Sequence, residues 1–141
     1  MERRTFVAFT LVQIVATGFA FWILMKIPTP WNTQRYVGTA LAVVGISGIA
    51  IARYQLGRSF SIKAEAHQLV TRGLYSKIRN PIYVFGTVLI AGFFLVVQRP
   101  ALWILLGVVI VGQMVRARRE ARVLEAAFGD DYRAYRRKTW F

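Results

Sequence analysis

Cysteine is absent from this chain of 141 residues, which excludes disulfides and thiolate metal sites. Histidine occurs once, at His67, and one imidazole cannot build the histidine-rich clusters of membrane di-iron enzymes. Neither a Gly-x-Gly-x-x-Gly run nor a Walker-type loop is present, so both common nucleotide fingerprints are missing. Acidic residues are few, 6 against 19 Lys and Arg, and the formal net charge is +13.

What remains is apolar and basic at once. The composition is 56% hydrophobic and the mean hydropathy is +0.44. These values are compatible because the two residue classes occupy different segments. Four apolar runs stand out: about Thr5 to Met25, Tyr36 to about Ala52, Ile82 to Val97, and Ala101 to Val115. The first is long enough to span a bilayer, the second is near the lower limit, and the last two are shorter. Only Gln98-Arg99-Pro100 separates the last two, which therefore read as a helical hairpin. The expectation is an all-α polytopic membrane protein. It has about four transmembrane helices, a C-terminal helical hairpin and a cytoplasmic helical extension, in a single integral membrane domain, 1–141. The basic start Met1-Glu2-Arg3-Arg4 also suits a signal peptide, but the following run is too long for one and lacks a small-x-small cleavage site.

Charge sets the orientation. With both termini cytoplasmic, every Lys and Arg except Lys26, Arg35 and Arg99 lies inside, as the positive-inside tendency requires. A basic face beside anionic lipid accounts for the charge without nucleic acid. The compact size points to a prokaryotic inner membrane.

Gly38, Ala42, Gly45 and Ala52 place small side chains along one side of the second run, where helices can approach closely. Gln13, in the first run, suits an interhelical hydrogen bond better than a substrate contact. The linker from Arg53 to Asn80 is polar and patterned, with turns expected at Gly57 and Gly73. Pro81 suits a first helical turn, where its missing N–H is no loss, and Asn80 then stands at the N-cap. His67 reads as a linker surface residue rather than a base. Beyond the fourth run, QMVRARREARVLEAAFG stays helical, with Gly129 as a C-cap. Gln113, Glu120, Leu124 and Phe128 share a mainly apolar face of it. A carboxylate there must find a partner. Glu120 either pairs with Arg116 one turn back or serves a site, and both readings stand at this point.

Two stretches carry a family likeness. Leu69-Val70-Thr71-Arg72-Gly73-Leu74-Tyr75-Ser76-Lys77-Ile78-Arg79-Asn80-Pro81-Ile82-Tyr83 resembles the signature of the isoprenylcysteine carboxyl methyltransferase and phospholipid methyltransferase superfamily. Glu120, Leu124, Phe128-Gly129, Tyr132 and Tyr135 resemble that family's tail motif, and Leu56 to Ser61 its stretch after the second span. The likeness covers about Leu56 to Lys138. Asn80 stands where many members have histidine, and Ala121 where a second glutamate often follows. The proline-containing extension common after the last motif is missing beyond Thr139-Trp140-Phe141.

The resemblance implies a membrane methyltransferase that uses S-adenosylmethionine, with residues 56–141 forming the cofactor region at the cytoplasmic face. Arg79 and Asn80 become the candidate catalytic residues. Leu69, Tyr75, Arg79, Asn80, Pro81, Tyr83, Glu120, Tyr132 and Tyr135 become candidate cofactor ligands, and no metal is expected. Arg79 and the start of the third helix suit a carboxylate. Glu120 suits the cofactor's ammonium or ribose hydroxyls, and the tyrosine rings suit adenine or the sulfonium. The implied reaction is in-line methyl transfer to a carboxylate or amine of a lipid-like substrate entering from the bilayer. The main rival is a small non-catalytic membrane protein that binds anionic lipid or a partner through its basic tail. Sterol reductases have a similar C-terminal region, but they are much longer.

Overall fold

The computed structural model describes residues 25–56 and 69–141, together with residues 11, 15, 18, 19 and 21–23. Most of the first apolar run, Gln13, Gly57 and His67 lie outside the described residues, as does nearly all of the stretch from Leu56 to Ser61. Those described between Leu11 and Lys26 are helical. Three longer helices follow: α1 (Thr33–Leu56), α2 (Pro81–Val97) and α3 (Leu102–Lys138). A short 3-10 turn, Gly73–Ser76, lies between α1 and α2. Among the described residues there is no strand, only one isolated parallel bridge between Ile78 and Trp140.

Helix α1 begins earlier than its apolar run because Asn32 caps it. The Asn32 Oδ1 accepts the Arg35 N–H at 3.0 Å, satisfying one of the donors orphaned at a helix start. At 24 residues it is about 36 Å long. It is the one described helix both long and apolar enough to cross a membrane. Helix α2 has 17 residues, about 25 Å. In α3, the apolar front gives way to Arg116, Arg118 and Arg119.

The small-residue stripe is the α1–α2 interface. Gly38, Ala42, Gly45, Gly48 and Ala52 are all buried. A Cβ at Gly45 would stand 2.6 Å from Leu89 N, and one at Gly92 would stand 2.6 Å from Ala42 N. The Phe85 ring lies directly on Gly48. The order of these contacts makes α1 and α2 antiparallel. Backbones this close gain dispersion contacts that lipid cannot match.

At the end of the bundle where α1 begins, polar groups tie the segments together. Thr29 Oγ1 donates to Val96 O at 2.9 Å, and the Gln98 and Asn32 amides bond each other at 3.2 Å. Gln98 closes α2 in a left-handed conformation, φ 57°. Arg35, expected outside with the other two exceptions to the charge rule, is only 2% exposed. Its guanidinium donates to the carbonyls of Thr29 and Met25 and lies 4.1 Å over the Trp31 ring. It therefore pins the connector to the start of α1.

Helix α3 runs antiparallel to α2 and does not end at Gly129. Gly129 adopts φ 49° and ψ −118°, which only glycine takes without strain, and the helix bends there and resumes to Lys138. The expected C-cap is thus a hinge. Exposed aromatics mark both ends of the bundle, Trp31, Tyr36 and Trp103 at one and Tyr54 and Trp140 at the other.

Gly92→Val forces a side chain into backbone that cannot yield. It is expected to destabilise the fold by about 1–3 kcal/mol or more and to lower the melting temperature in detergent. Gly107→Ala, where a Cβ meets nothing within 4 Å among the described residues, is the control. Equal melting of the two variants would contradict this packing.

Candidate functional site

The site forms at the opposite end of the bundle, where the segment before α2 meets the bent end of α3. The segment is anchored first to α1. Leu74 N–H donates to Gln55 Oε1 at 2.7 Å, and Gly73, at φ 61°, passes beneath the Gln55 side chain. It is anchored next to the end of α3. Trp140 N–H donates to Lys77 O at 3.0 Å. Arg79 N–H donates to Trp140 O at 3.0 Å, and Asn80 N–H to Phe141 O at 2.9 Å. Tyr135 Oη donates to Tyr75 O at 2.7 Å. The hinge at Gly129 allows this return.

These bonds change what the start of α2 offers. It was expected to present free N–H groups to an anion. Pro81 has none, and those of Arg79 and Asn80 are taken by the strap of residues 140–141. Tyr83 and Val84 N–H groups both turn back to Asn80 O. Ile82 alone is left from the first turn, so anion binding here falls to side chains. Asn80 holds the N-cap position but makes no side-chain capping bond, which leaves its amide available. Arg79 is half-buried, and its guanidinium makes no ion pair or hydrogen bond among the described residues.

Glu120 faces this segment from α3. Tyr83 Oη donates to its Oε1 at 2.5 Å, and Arg116 Nε donates to the same oxygen at 3.2 Å. The Arg116 guanidinium lies 5.9 Å from the Tyr83 ring centroid. The partner expected one turn back is therefore present. It does not exhaust the carboxylate, because both bonds fall on Oε1, and Oε2 takes none among the described residues.

Tyr75, Tyr132 and Tyr135 are buried, Tyr132 to 1% exposure. The Tyr132 and Tyr135 rings pack with centroids 6.2 Å apart. Burial pushes all three phenols above their ordinary range, Tyr135 to about 12. The Glu120 carboxylate adds to the rise at Tyr75 and Tyr132, and the Arg79 cation opposes it at Tyr132 and Tyr135. Tyr132 therefore feels both charges.

Arg79, Asn80, Pro81, Tyr75, Tyr83, Glu120, Tyr132 and Tyr135 thus gather at one end of the bundle. Leu69 sits half-buried where the described part of the linker begins, and no hydrogen bond ties it to the group. Sequence reasoning gave no role to Gln55, Trp140 or Phe141. Their contribution includes backbone bonds, which leave no side-chain pattern. Among the described residues no cluster of His, Asp or Glu is arranged to hold a metal ion.

The described helices thus include one long and apolar enough to cross a membrane, with ionic and aromatic groups collected at the basic end of the bundle. A family model described as phospholipid methyltransferase matches residues 33–131, and the chain belongs to that family of membrane methyltransferases. The match starts with α1 and stops just past the hinge, so Tyr132, Tyr135 and the strap lie beyond it. No curated protein and no solved structure matches the chain.

The raised phenol pKa values fix a pH dependence. A neutral phenol held above its unfolded value of about 10 contributes stability that is complete below that pH. The contribution is lost as pH climbs toward about 12. Alkaline titration followed by phenolate absorbance and helical circular dichroism should show late-ionising tyrosines and a melting temperature falling above pH 10. A melting temperature constant across that range would refute the burial of this cluster.

Proposed function

We propose that this chain is an integral membrane methyltransferase that uses S-adenosylmethionine, acting at the cytoplasmic face on a lipid-like acceptor that enters from the bilayer. The proposal includes four spans with both termini cytoplasmic, in a prokaryotic inner membrane. The charge asymmetry supports it, as do the aromatic residues at both ends of the bundle. The observation that carries the reading is that two segments far apart in sequence come together, with Tyr83 bonded to Glu120 and Tyr132 acted on by both Glu120 and Arg79.

The residues fit the proposed cofactor. Its carboxylate requires a cation, and Arg79 is a half-buried guanidinium with no ion-pair partner among the described residues. Its ammonium and ribose hydroxyls require acceptors, and Glu120 keeps Oε2 for them while Tyr83 and Arg116 fix its orientation through Oε1. The Asn80 amide, free of capping duty, supplies a donor or acceptor beside Arg79. The rings of Tyr75 and Tyr83 suit a cation, Tyr135 bonds the Tyr75 carbonyl and packs on Tyr132, and Pro81 and Leu69 supply apolar contact.

The cofactor supplies a methyl group on a positive sulfur, which leaves as a neutral thioether. A carboxylate acceptor becomes an ester with no proton to move, and an amine releases one. The chain's own task is to align the reactants and exclude water, which accounts for a large part of such a barrier.

Isothermal titration of the detergent-solubilised protein with S-adenosylhomocysteine tests the assignment. Arg79→Ala and Glu120→Gln each remove a charge-assisted bond, worth about 1.5–3 kcal/mol, so binding should weaken by about tenfold or more. Wild-type affinity in both folded variants would remove these residues from the site.

A further inference from the structure

The strap that holds Arg79 and Asn80 contains a residue that faces two ways. By its backbone, Trp140 belongs to the site. Its N–H donates to Lys77 O and its carbonyl accepts the Arg79 N–H, each at 3.0 Å. By its side chain it belongs to the surroundings, and the residue is 56% exposed. Its depth follows from its partner segment. Pro81 opens an apolar helix, so residues 77–80 stand where the chain enters the bilayer, and Trp140 is bridged to Ile78 among them. That boundary is the depth at which Trp is enriched in membrane proteins.

The residues just before it are cationic. Arg136, Arg137 and Lys138 fall in the last turn of α3, and all three are exposed. Thr139 is extended, at φ −122° and ψ 149°, so at most about 7 Å separates the Lys138 and Trp140 backbones. Lys77, across the strap, is exposed as well. Of the acids at the hinge, Asp130 is bonded to Arg133 at 3.1 Å, and Asp131 lies about two turns back from Lys138. Cations beside an interfacial indole complement a lipid of net negative charge, because each cation gains from a negative surface and the ring from the head-group layer. Cations at a helix C-terminus also suit its dipole, but that effect requires no exposed ring beside them.

We propose that Arg136, Arg137, Lys138 and Trp140 form a seat for anionic phospholipid, and that a filled seat holds the strap closed on Arg79 and Asn80. The seated lipid is a regulator of the site and is not itself methylated. The inference rests on the methyltransferase reading for what the closed site binds. The strap is a clasp that outside contacts can bias, since water competes for its three backbone bonds and each contributes little net. Phe141, whose carbonyl takes the Asn80 N–H, sits at φ 42°, a conformation that costs a residue other than glycine. Arg136 extends the link, because its charge, like that of Arg79, acts on the Tyr132 phenol. Such coupling is reciprocal: a lipid that closes the strap tightens the ligand within, and the ligand tightens the lipid.

The full chain in nanodiscs of dioleoylphosphatidylcholine, with and without dioleoylphosphatidylglycerol, tests the inference. S-adenosylhomocysteine is the probe, because it carries no net charge and a negative surface neither gathers nor repels it. Its affinity should rise by about fivefold or more when the anionic lipid is present. The double variant Arg137→Gln, Lys138→Gln should erase the rise and leave affinity in the neutral disc unchanged. Trp140→Ser, which keeps the backbone donor and acceptor, should shrink the rise. Glycerol 3-phosphate added to the neutral disc should reproduce none of it. Amide hydrogen exchange at Arg79, Asn80 and Trp140 should slow in the anionic disc even without the probe. Equal affinity and equal exchange in the two discs overturn the inference. So does a rise that survives in the double variant, or one that glycerol 3-phosphate reproduces. No probe binding in either disc sinks the methyltransferase reading, while slower exchange there still upholds the lipid seat. Probe binding with no lipid dependence sinks the seat alone.

Discussion

The backbone pairing of residues 77–80 with 140–141 is the constraint on which the rest of the site depends. The segment just ahead of α2 has donors and carbonyls that must be satisfied, and Gln55 of α1 takes only the Leu74 N–H. The strap supplies partners, with three backbone bonds and one from the Tyr135 hydroxyl. Its geometry is set at a distance by Gly129, whose positive φ bends α3. Without that bend, Tyr132 and Tyr135 would extend past the bundle, away from the Arg79 charge that acts on both.

Electrostatics follows from this closure. In a chain of net charge +13, a carboxylate turned toward protein has many cations to choose from. Glu120 takes the nearest, Arg116, one turn back at 3.2 Å, a pair 56% and 29% exposed and so worth little by itself. The Tyr83 hydroxyl, from another helix, makes the arrangement specific. Arg79 is held apart by the strap on its backbone and by buried tyrosines beside it. Arg79 and Glu120 both act on Tyr132 without forming an ion pair, which is what the proposed zwitterionic cofactor would require.

Much of this was legible in the residues. The small-residue stripe announced the α1–α2 contact, Pro81 marked the start of α2, Gln98-Arg99-Pro100 marked the joint, and the i,i+4 spacing announced the Arg116–Glu120 pair. The family likeness carried the meeting of the two motifs. Other features were hidden for physical reasons. A basic residue near a helix end reads as solvent-facing, yet Arg35 is buried because carbonyls and a Trp ring replace its water. A glycine after a helical run reads as a stop, yet Gly129 is a hinge because later residues find a docking surface. Tyr132 and Tyr135 are buried beyond a bend at Gly129 that periodicity does not encode. The α2 start read as a source of free N–H groups, because the strap that consumes them acts through backbone atoms.

The account's central claim is that Arg79 and Glu120 bind opposite ends of one small ligand. A structure of the full chain determined with S-adenosylhomocysteine tests it most directly. The account predicts the ligand's carboxylate within hydrogen-bonding distance of the Arg79 guanidinium, and its ammonium or ribose hydroxyls on the Glu120 carboxylate. A ligand seated elsewhere, with those two side chains arranged as they are without it, would contradict the account.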